Sequence, residues 1–241
     1  MIEKTVVMEI GNSFSKTQVS GNLVIPDAPI GLVVFAHGSG SDKSSLRNQL
    51  ISRILNDNRV GTLLFDLLSE EEQESDVRAM NLMCKIPGLT LNKFNIGLLA
   101  KRLIGASEWI NNYSGLGKFK LGYFGSSTGT AAALMAATKY NVEAIVSRGG
   151  RTDLIDKQVL EQIVSPCLFI AGSYDKDVVR INKTTMSQLR DITEKKMEVI
   201  NGASHLFEEK GKLHIVSELA ADWFEKYLGE PFVAKQQKQT F

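Results

Sequence analysis

Histidine occurs three times in this chain, cysteine twice, and an apolar run long enough to cross a bilayer not at all. Each shortage removes a class of function. His37, His205 and His214 have no histidine partner at i+4 and no cysteine pair nearby, so the spacing of a zinc site is missing. No metal or cofactor is expected. Cys84 and Cys167 cannot build a disulfide framework and suit a reducing compartment, which predicts a cytoplasmic protein. Cys167 lies in an apolar stretch and reads as inert core. A membrane-spanning helix needs about 18 consecutive apolar residues. The opening MIEKTVVMEIG carries Glu3 and Lys4 where a secretory leader needs an apolar core. Charge is balanced as well: 28 Lys and Arg against 27 Asp and Glu give a formal net charge of +1. No global field steers the protein toward nucleic acid or anionic lipid.

What is present suits a soluble globular protein of 241 residues, 43% hydrophobic and 23% charged. Residues 1–228 read as a single domain, followed by a polar tail over 229–241. TVVMEI and TQVSGNLVIP read as two opening strands, with Gly-Asn at 11–12 and at 21–22 as turn signals. GLVVFA and VGTLLFDLL are short apolar runs of the kind that form strands buried on both faces. Between them SLRNQLISRILNDN sets Leu46, Leu50, Ile54 and Leu55 at helical spacing. The least regular stretch, 69–93, opens on the acidic run SEEEQESD and contains Pro87-Gly88. It reads as an excursion at one end of the sheet, a short lid or a plain loop, with the acidic run as a solvated face. A helix with Ile96, Leu99, Leu103 and Ile110 on one face follows. KFKLGYFG is then a strand and SSTGTAAALMAATKY a helix. VEAIVSRGG, PCLFIAGSYD and KKMEVING are further strands, and HIVSELAADWFEKYLG is a closing helix. Alternating strands and helices imply a mainly parallel sheet with helices on both faces. In such sheets, binding groups gather on loops at the carboxyl ends of strands.

One such end reads G-S-S-T-G. The pattern G-x-S-x-G selects Ser127 and not Ser126, because Gly125 and Gly129 must flank the nucleophile by two residues. The turn from strand to helix strains the middle residue and lifts its hydroxyl above the sheet edge, while the glycines avoid backbone clashes. The alternative is a serine that merely caps the helix. A serine nucleophile needs a base and an orienting acid, in this fold ordered serine, acid, histidine. His205 lies in a loop just after a strand. His214 sits in the amphipathic closing segment and reads as a helix-surface residue. For the acid, Asp175 stands at a strand exit, with Asp177 and Asp153 as alternatives. Asp66 precedes the serine and reads as structural. Backbone N–H groups of Thr128 and Ser39, with Gly40 behind Ser39, are placed to hold an oxyanion. His37 reads as a brace for that loop. Arg148 and Arg151 in SRGGR either bind a substrate carboxylate or tie down loops.

FAHGSGS, LLFDLL, GYFGSSTGTAAA, SRGGR, IAGSYDKDV and NGASHLFEE together resemble the α/β-hydrolase fold, in its dienelactone hydrolase-like branch. The resemblance runs from about residue 30 to 228. It implies Ser127 as nucleophile, Asp175 as acid and His205 as base. The chain departs from dienelactone hydrolases proper, which use cysteine where Ser127 stands. Ester chemistry survives that change, but the named dienelactone reaction is in doubt. The expected activity is hydrolysis of a small carboxylic ester or thioester through an acyl-enzyme. Two alternatives stay open: a non-catalytic binding or regulatory module, and an acyltransferase or perhydrolase using the same residues. The expected partner is a small-molecule ester, with homo-oligomerisation undetermined.

Overall fold

The computed structural model describes residues 1–12, 15–80, 90–113 and 115–229. Cys84, the Pro87-Gly88 part of the excursion and the tail beyond 229 lie outside that set.

Eight strands form one sheet: β1 (Ile2–Asn12), β2 (Ser15–Ile25), β3 (Gly31–Ala36), β4 (Val60–Phe65), β5 (Leu121–Ser126), β6 (Ala144–Arg148), β7 (Cys167–Gly172) and β8 (Lys195–Ile200). Their order is β1-β2-β4-β3-β5-β6-β7-β8, with β1 and β2 antiparallel at one end and β4 to β8 running parallel. The apolar runs of β3, β4, β5 and β7 are buried along their whole length. This is the pattern of strands covered on both faces.

Gly21-Asn22, expected to turn, instead continues β2. Gly21 pairs with Val6 on one side and Phe65 on the other. A Cβ at Gly21 would sit 2.7 Å from Phe65 Cβ, so the glycine serves close strand approach rather than a turn.

Two helices, α1 (Leu46–Asp57) and α7 (Lys212–Leu228), cover one face of the sheet. The opposite face carries α3 (Ile96–Asn112) and α4 (Thr128–Ala137), with the single turn α5 (Lys157–Leu160) packed beside α4. On α3 the expected face is buried, Ile96, Leu99, Leu103 and Ile110 included. On α1 the expectation fails in part: Leu46 and Leu50 are exposed, and Asn48, Ile51, Ser52 and Leu55 face inward. Two inward polar groups explain the shift, because the Ser52 hydroxyl bonds Thr62 at 2.7 Å and Asn48 lies beneath Ser126. Nine of the ten residues of α4 are buried, and its small side chains let the helix lie close against β5 and α3.

The acidic run forms a true helix, α2 (Glu70–Met80). Ser69 and Glu72 make a reciprocal capping box: Ser69 N–H donates to Glu72 Oε2 at 2.9 Å, and Glu72 N–H to Ser69 Oγ at 3.2 Å. Acidic residues in the first turn also suit the helix dipole. Nor is the run all solvated. Glu72 pairs with the buried Arg102 at 2.5 Å, and buried Asp76 accepts the N–H groups of Asn92 and Lys93 at 2.7 and 2.9 Å. These bonds pin α2 to the entry of α3. Among the described residues no helix is long and apolar enough to cross a membrane.

Candidate active site

Register sets the site at the carboxyl ends of the central strands. Ala36 pairs with Gly125 across β3 and β5, and Ser126 with Arg148 across β5 and β6. The chain turns there into α4 through Ser127, which holds φ 50° and ψ −120°. A non-glycine residue at positive φ is strained, typically by about 1–3 kcal/mol, and such strain concentrates at functional sites. The flanking glycines are obligatory. A Cβ on Gly125 would lie 2.5 Å from Thr130 Cα, and one on Gly129 only 2.0 Å from Ala36 O. Neighbouring backbone clamps the elbow from behind: Ser127 N–H donates to Arg148 O at 3.1 Å, and Arg151 N–H donates to Ser127 O at 3.1 Å. Ser126 points the other way. It is 2% exposed, and its hydroxyl reaches toward Asn48 Oδ1 at a long 3.5 Å.

The structure brings Asp175 and His205 together. Asp175 begins α6 (Lys176–Gln188), just past β7, and its Oδ2 takes the Nδ1–H of His205 at 2.5 Å. A carboxylate can only accept, so Nδ1 carries the hydrogen of that bond and Nε2 takes no part in it. The ring lies over Gly149, where a Cβ would be 3.2 Å from Cε1. Gly149 directly follows the residue whose carbonyl holds the Ser127 N–H. Three features anchor the His205 loop. Glu209 accepts the Ser204 N–H at 3.0 Å, and the buried Phe207 plugs the core at φ 58°. A Cβ on Gly172 would meet Ala203 O at 2.3 Å, so the loop rests directly on the end of β7. The Glu209 carboxyl is held below the usual carboxylate range by backbone N–H groups, its own first and then that of Ser204.

The competing residues are engaged elsewhere. Asp177 faces solvent and pairs with Arg180 at 3.4 Å. Asp153 takes a two-pronged bond from Arg151, 2.8 Å on each prong. His214 pairs with Glu218 on the surface of α7 at 3.3 Å. Asp66 accepts from the Lys43 side chain at 2.5 Å and its N–H at 3.0 Å, a loop anchor.

His37 braces its loop. Nδ1–H donates to Gly38 O at 2.9 Å and Nε2 accepts the Leu67 N–H at 3.1 Å. Burial pushes its pKa down, so the ring stays neutral. The loop presses on the elbow, where a Cβ on Gly38 would lie 3.2 Å from Ser127 Cβ. Ser39 N–H donates to Thr128 Oγ1 at 2.8 Å, an engagement no sequence pattern announces. Gly40 faces open space.

Arg148 is buried, its Nη1 without a partner among the described residues. Burial lowers its pKa to about 10, and Arg47 adds repulsion. Arg47 itself reaches Glu208 at 3.0 Å. Sequence reasoning missed this Arg47–Glu208 link and the role of Glu209, although both acids lie in NGASHLFEE. Beside the His37–Asp42 loop opens a cavity of about 240 Å³, walled by Leu67, Gln73, Val77, Met80 and Leu99.

No family model matches the chain. A crystal structure of a dienelactone hydrolase from Anabaena variabilis is 42% identical, covers 94% of this chain and 98% of its own, and superposes with a TM-score of 0.84. The fold is shared with Est1E from Butyrivibrio proteoclasticus, 13% identical over 93% of this chain and 99% of that one, TM-score 0.71. It is also shared with a lidless α/β serine hydrolase from Xanthomonas campestris, 13% identical over 95% of this chain and 97% of that one, TM-score 0.71. Two Mycobacterium tuberculosis strains carry a protein provisionally named a phosphoribosyl transferase. It is 42% identical over 215 residues, 88% of this chain and 45% of that protein. The chain thus spans less than half the length of the curated relatives it matches.

Proposed function

The chain belongs to the dienelactone hydrolase-like branch of the α/β-hydrolase family, and from that premise we propose that it is a serine hydrolase of small carboxylic esters or thioesters. Ser127 Oγ attacks the acyl carbon while His205 Nε2 takes its proton. Asp175 accepts the Nδ1–H and stabilises the imidazolium as it forms. The Thr128 N–H, opening α4, meets the oxyanion with the positive end of the helix behind it. The leaving group departs with the proton from His205. Water, deprotonated by the same ring, then releases the acid and restores Ser127.

The observation that carries this reading is the Ser127 backbone at φ 50°, ψ −120°. A serine serving only as a cap needs ordinary extended backbone and no such strain. The Asp175–His205 bond at 2.5 Å adds support, since an acid orienting the histidine through Nδ1 is what such a base requires. In this scheme the acyl or alcohol group runs from Ser127 past the His37–Asp42 loop, which packs on Ser127 at Gly38 and forms one wall of the 240 Å³ cavity. Arg148, buried with its Nη1 unpartnered among the described residues, keeps both expected roles in this scheme, a loop tie or a substrate carboxylate contact. A phosphoribosyl transfer activity would belong to the longer relatives as whole proteins, and none is proposed for this chain.

A fluorophosphonate probe followed by peptide mapping tests the reading. Label on Ser127, retained in Ser126→Ala and lost in Ser127→Ala, is the expected result. Folded protein that takes no label would make this a binding module on a hydrolase fold.

A further inference from the structure

Thr128 holds two donors at the elbow, and only one belongs to the usual account. As the first residue of α4, it has no intrahelical acceptor for its N–H, and no carbonyl among the described residues takes it. The residue is 5% exposed, and its hydroxyl accepts the Ser39 N–H at 2.8 Å. A hydroxyl that accepts one bond still has its own proton to place. Among the described residues nothing receives that proton. Ser39, expected to face the oxyanion directly, already spends its N–H on this oxygen.

Resting on the serine hydrolase reading above, we propose that Thr128 serves the oxyanion with both its N–H and its Oγ1–H, and that Ser39 acts through that hydroxyl. The sequence of bonds is Ser39 N–H to Thr128 Oγ1, then Thr128 O–H to the substrate oxygen. Bonds in a chain polarise one another, so the accepted N–H makes the hydroxyl a better donor. Its strength rises further as the acceptor gains charge in the transition state. No proton leaves Thr128. The Ser127 proton passes to His205, the carbonyl electron pair moves onto oxygen, and the two Thr128 donors hold it until the leaving group departs. Thr128 is therefore a catalytic residue by its side chain, and Ser39 a positioning one.

Thr128→Val, nearly isosteric but without a hydroxyl, and Thr128→Ser, which keeps it, separate the possibilities. Each is compared with wild type on para-nitrophenyl butyrate, together with a thermal melt. Loss of one oxyanion donor costs on the order of 10²–10³ in kcat. Thr128→Val should show that loss with KM within a few-fold, and Thr128→Ser should stay within about threefold of wild type on the same scale. Thr128→Ala, with no methyl to crowd the loop, should match Thr128→Val and covers the case in which valine destabilises the fold. A folded Thr128→Val as active as wild type, or more so, overturns the proposal, since the hydroxyl then only occupies the Ser39 N–H. A wild type that neither hydrolyses the ester nor takes a fluorophosphonate label overturns the parent reading, and this proposal with it.

Discussion

Replacing Gly129 by alanine tests the elbow more severely than its single methyl suggests. The new Cβ would lie 2.0 Å from Ala36 O and 2.6 Å from His37 O, both backbone atoms that cannot rotate away. Ordinary contact begins near 3.4 Å, so the start of α4 must part from the end of β3 by about 1.4 Å, far beyond the sub-ångström gaps that native packing tolerates. Overpacking of a well-filled core costs about 1–3 kcal/mol, and backbone on both sides puts this case at or above the top of that range. Alanine returns about 1 kcal/mol of helix propensity, which leaves a net loss of about 2 kcal/mol or more. At about 2–4 °C per kcal/mol for a chain of this size, the melting temperature should fall by roughly 4–8 °C. Activity should suffer more than stability. A displacement near 1 Å between nucleophile and oxyanion donors costs about 10²-fold in rate. Thermal melts and ester hydrolysis are measured for Gly129→Ala beside Gly40→Ala, whose Cβ meets nothing within 4 Å. A Gly129→Ala protein that melts within 2 °C of wild type by the same scale and turns over normally would refute this account of the glycine bracket.

Asp175→Asn should lower kcat by roughly 10³–10⁴ through the wrong imidazole tautomer. Asp177→Asn and Asp153→Asn should change it by less than about threefold, because those side chains pair with Arg180 and Arg151 instead. Phe207→Ala removes a 1% exposed side chain from the anchor of the His205 loop. Urea unfolding should show a loss of about 3–5 kcal/mol. His37 gives a pH signature. Its folded pKa is depressed by burial below the unfolded value of about 6.5. The unfolded chain therefore binds the proton more readily, and the stabilisation, complete above about pH 6.5, is lost as pH falls below it. Urea midpoints at several pH values should decline across that window in wild type, and less steeply in His37→Asn.

Legibility followed the physics of each segment. Strands buried on both faces announce themselves as short apolar runs, so β3, β4, β5 and β7 could be read directly. The glycine bracket pointed to the strained turn at Ser127, and the strand exits to Asp175 and His205, which the fold pairs, because such positions depend on local chain direction. Gly21-Asn22 misled: a glycine chosen for a tight approach to Phe65 has the same letters as a turn. The α1 face misled because Asn48 and Ser52 face inward to buried polar partners, which apolar periodicity cannot foresee. SEEEQESD looked solvated because its capping box and the Glu72–Arg102 and Asp76–Asn92 bonds span up to 30 residues of sequence. The Ser39–Thr128 bond, 89 residues apart, is legible only in space.

The way α2 is attached has a consequence for how the protein can diversify. Ser127, Asp175 and His205 hang from β5, β7 and the loop after β8, whereas Gln73, Val77 and Met80 of the cavity wall hang from β4 through α2. The two groups share no element. What fastens α2 is a handful of polar clasps, Ser69 to Glu72, Glu72 to Arg102 and Asp76 to the entry of α3. Provided those clasps stay, the wall residues behave as an exchangeable cassette. Selection, or an engineer, can reshape that wall while Ser127, Asp175 and His205 keep their geometry.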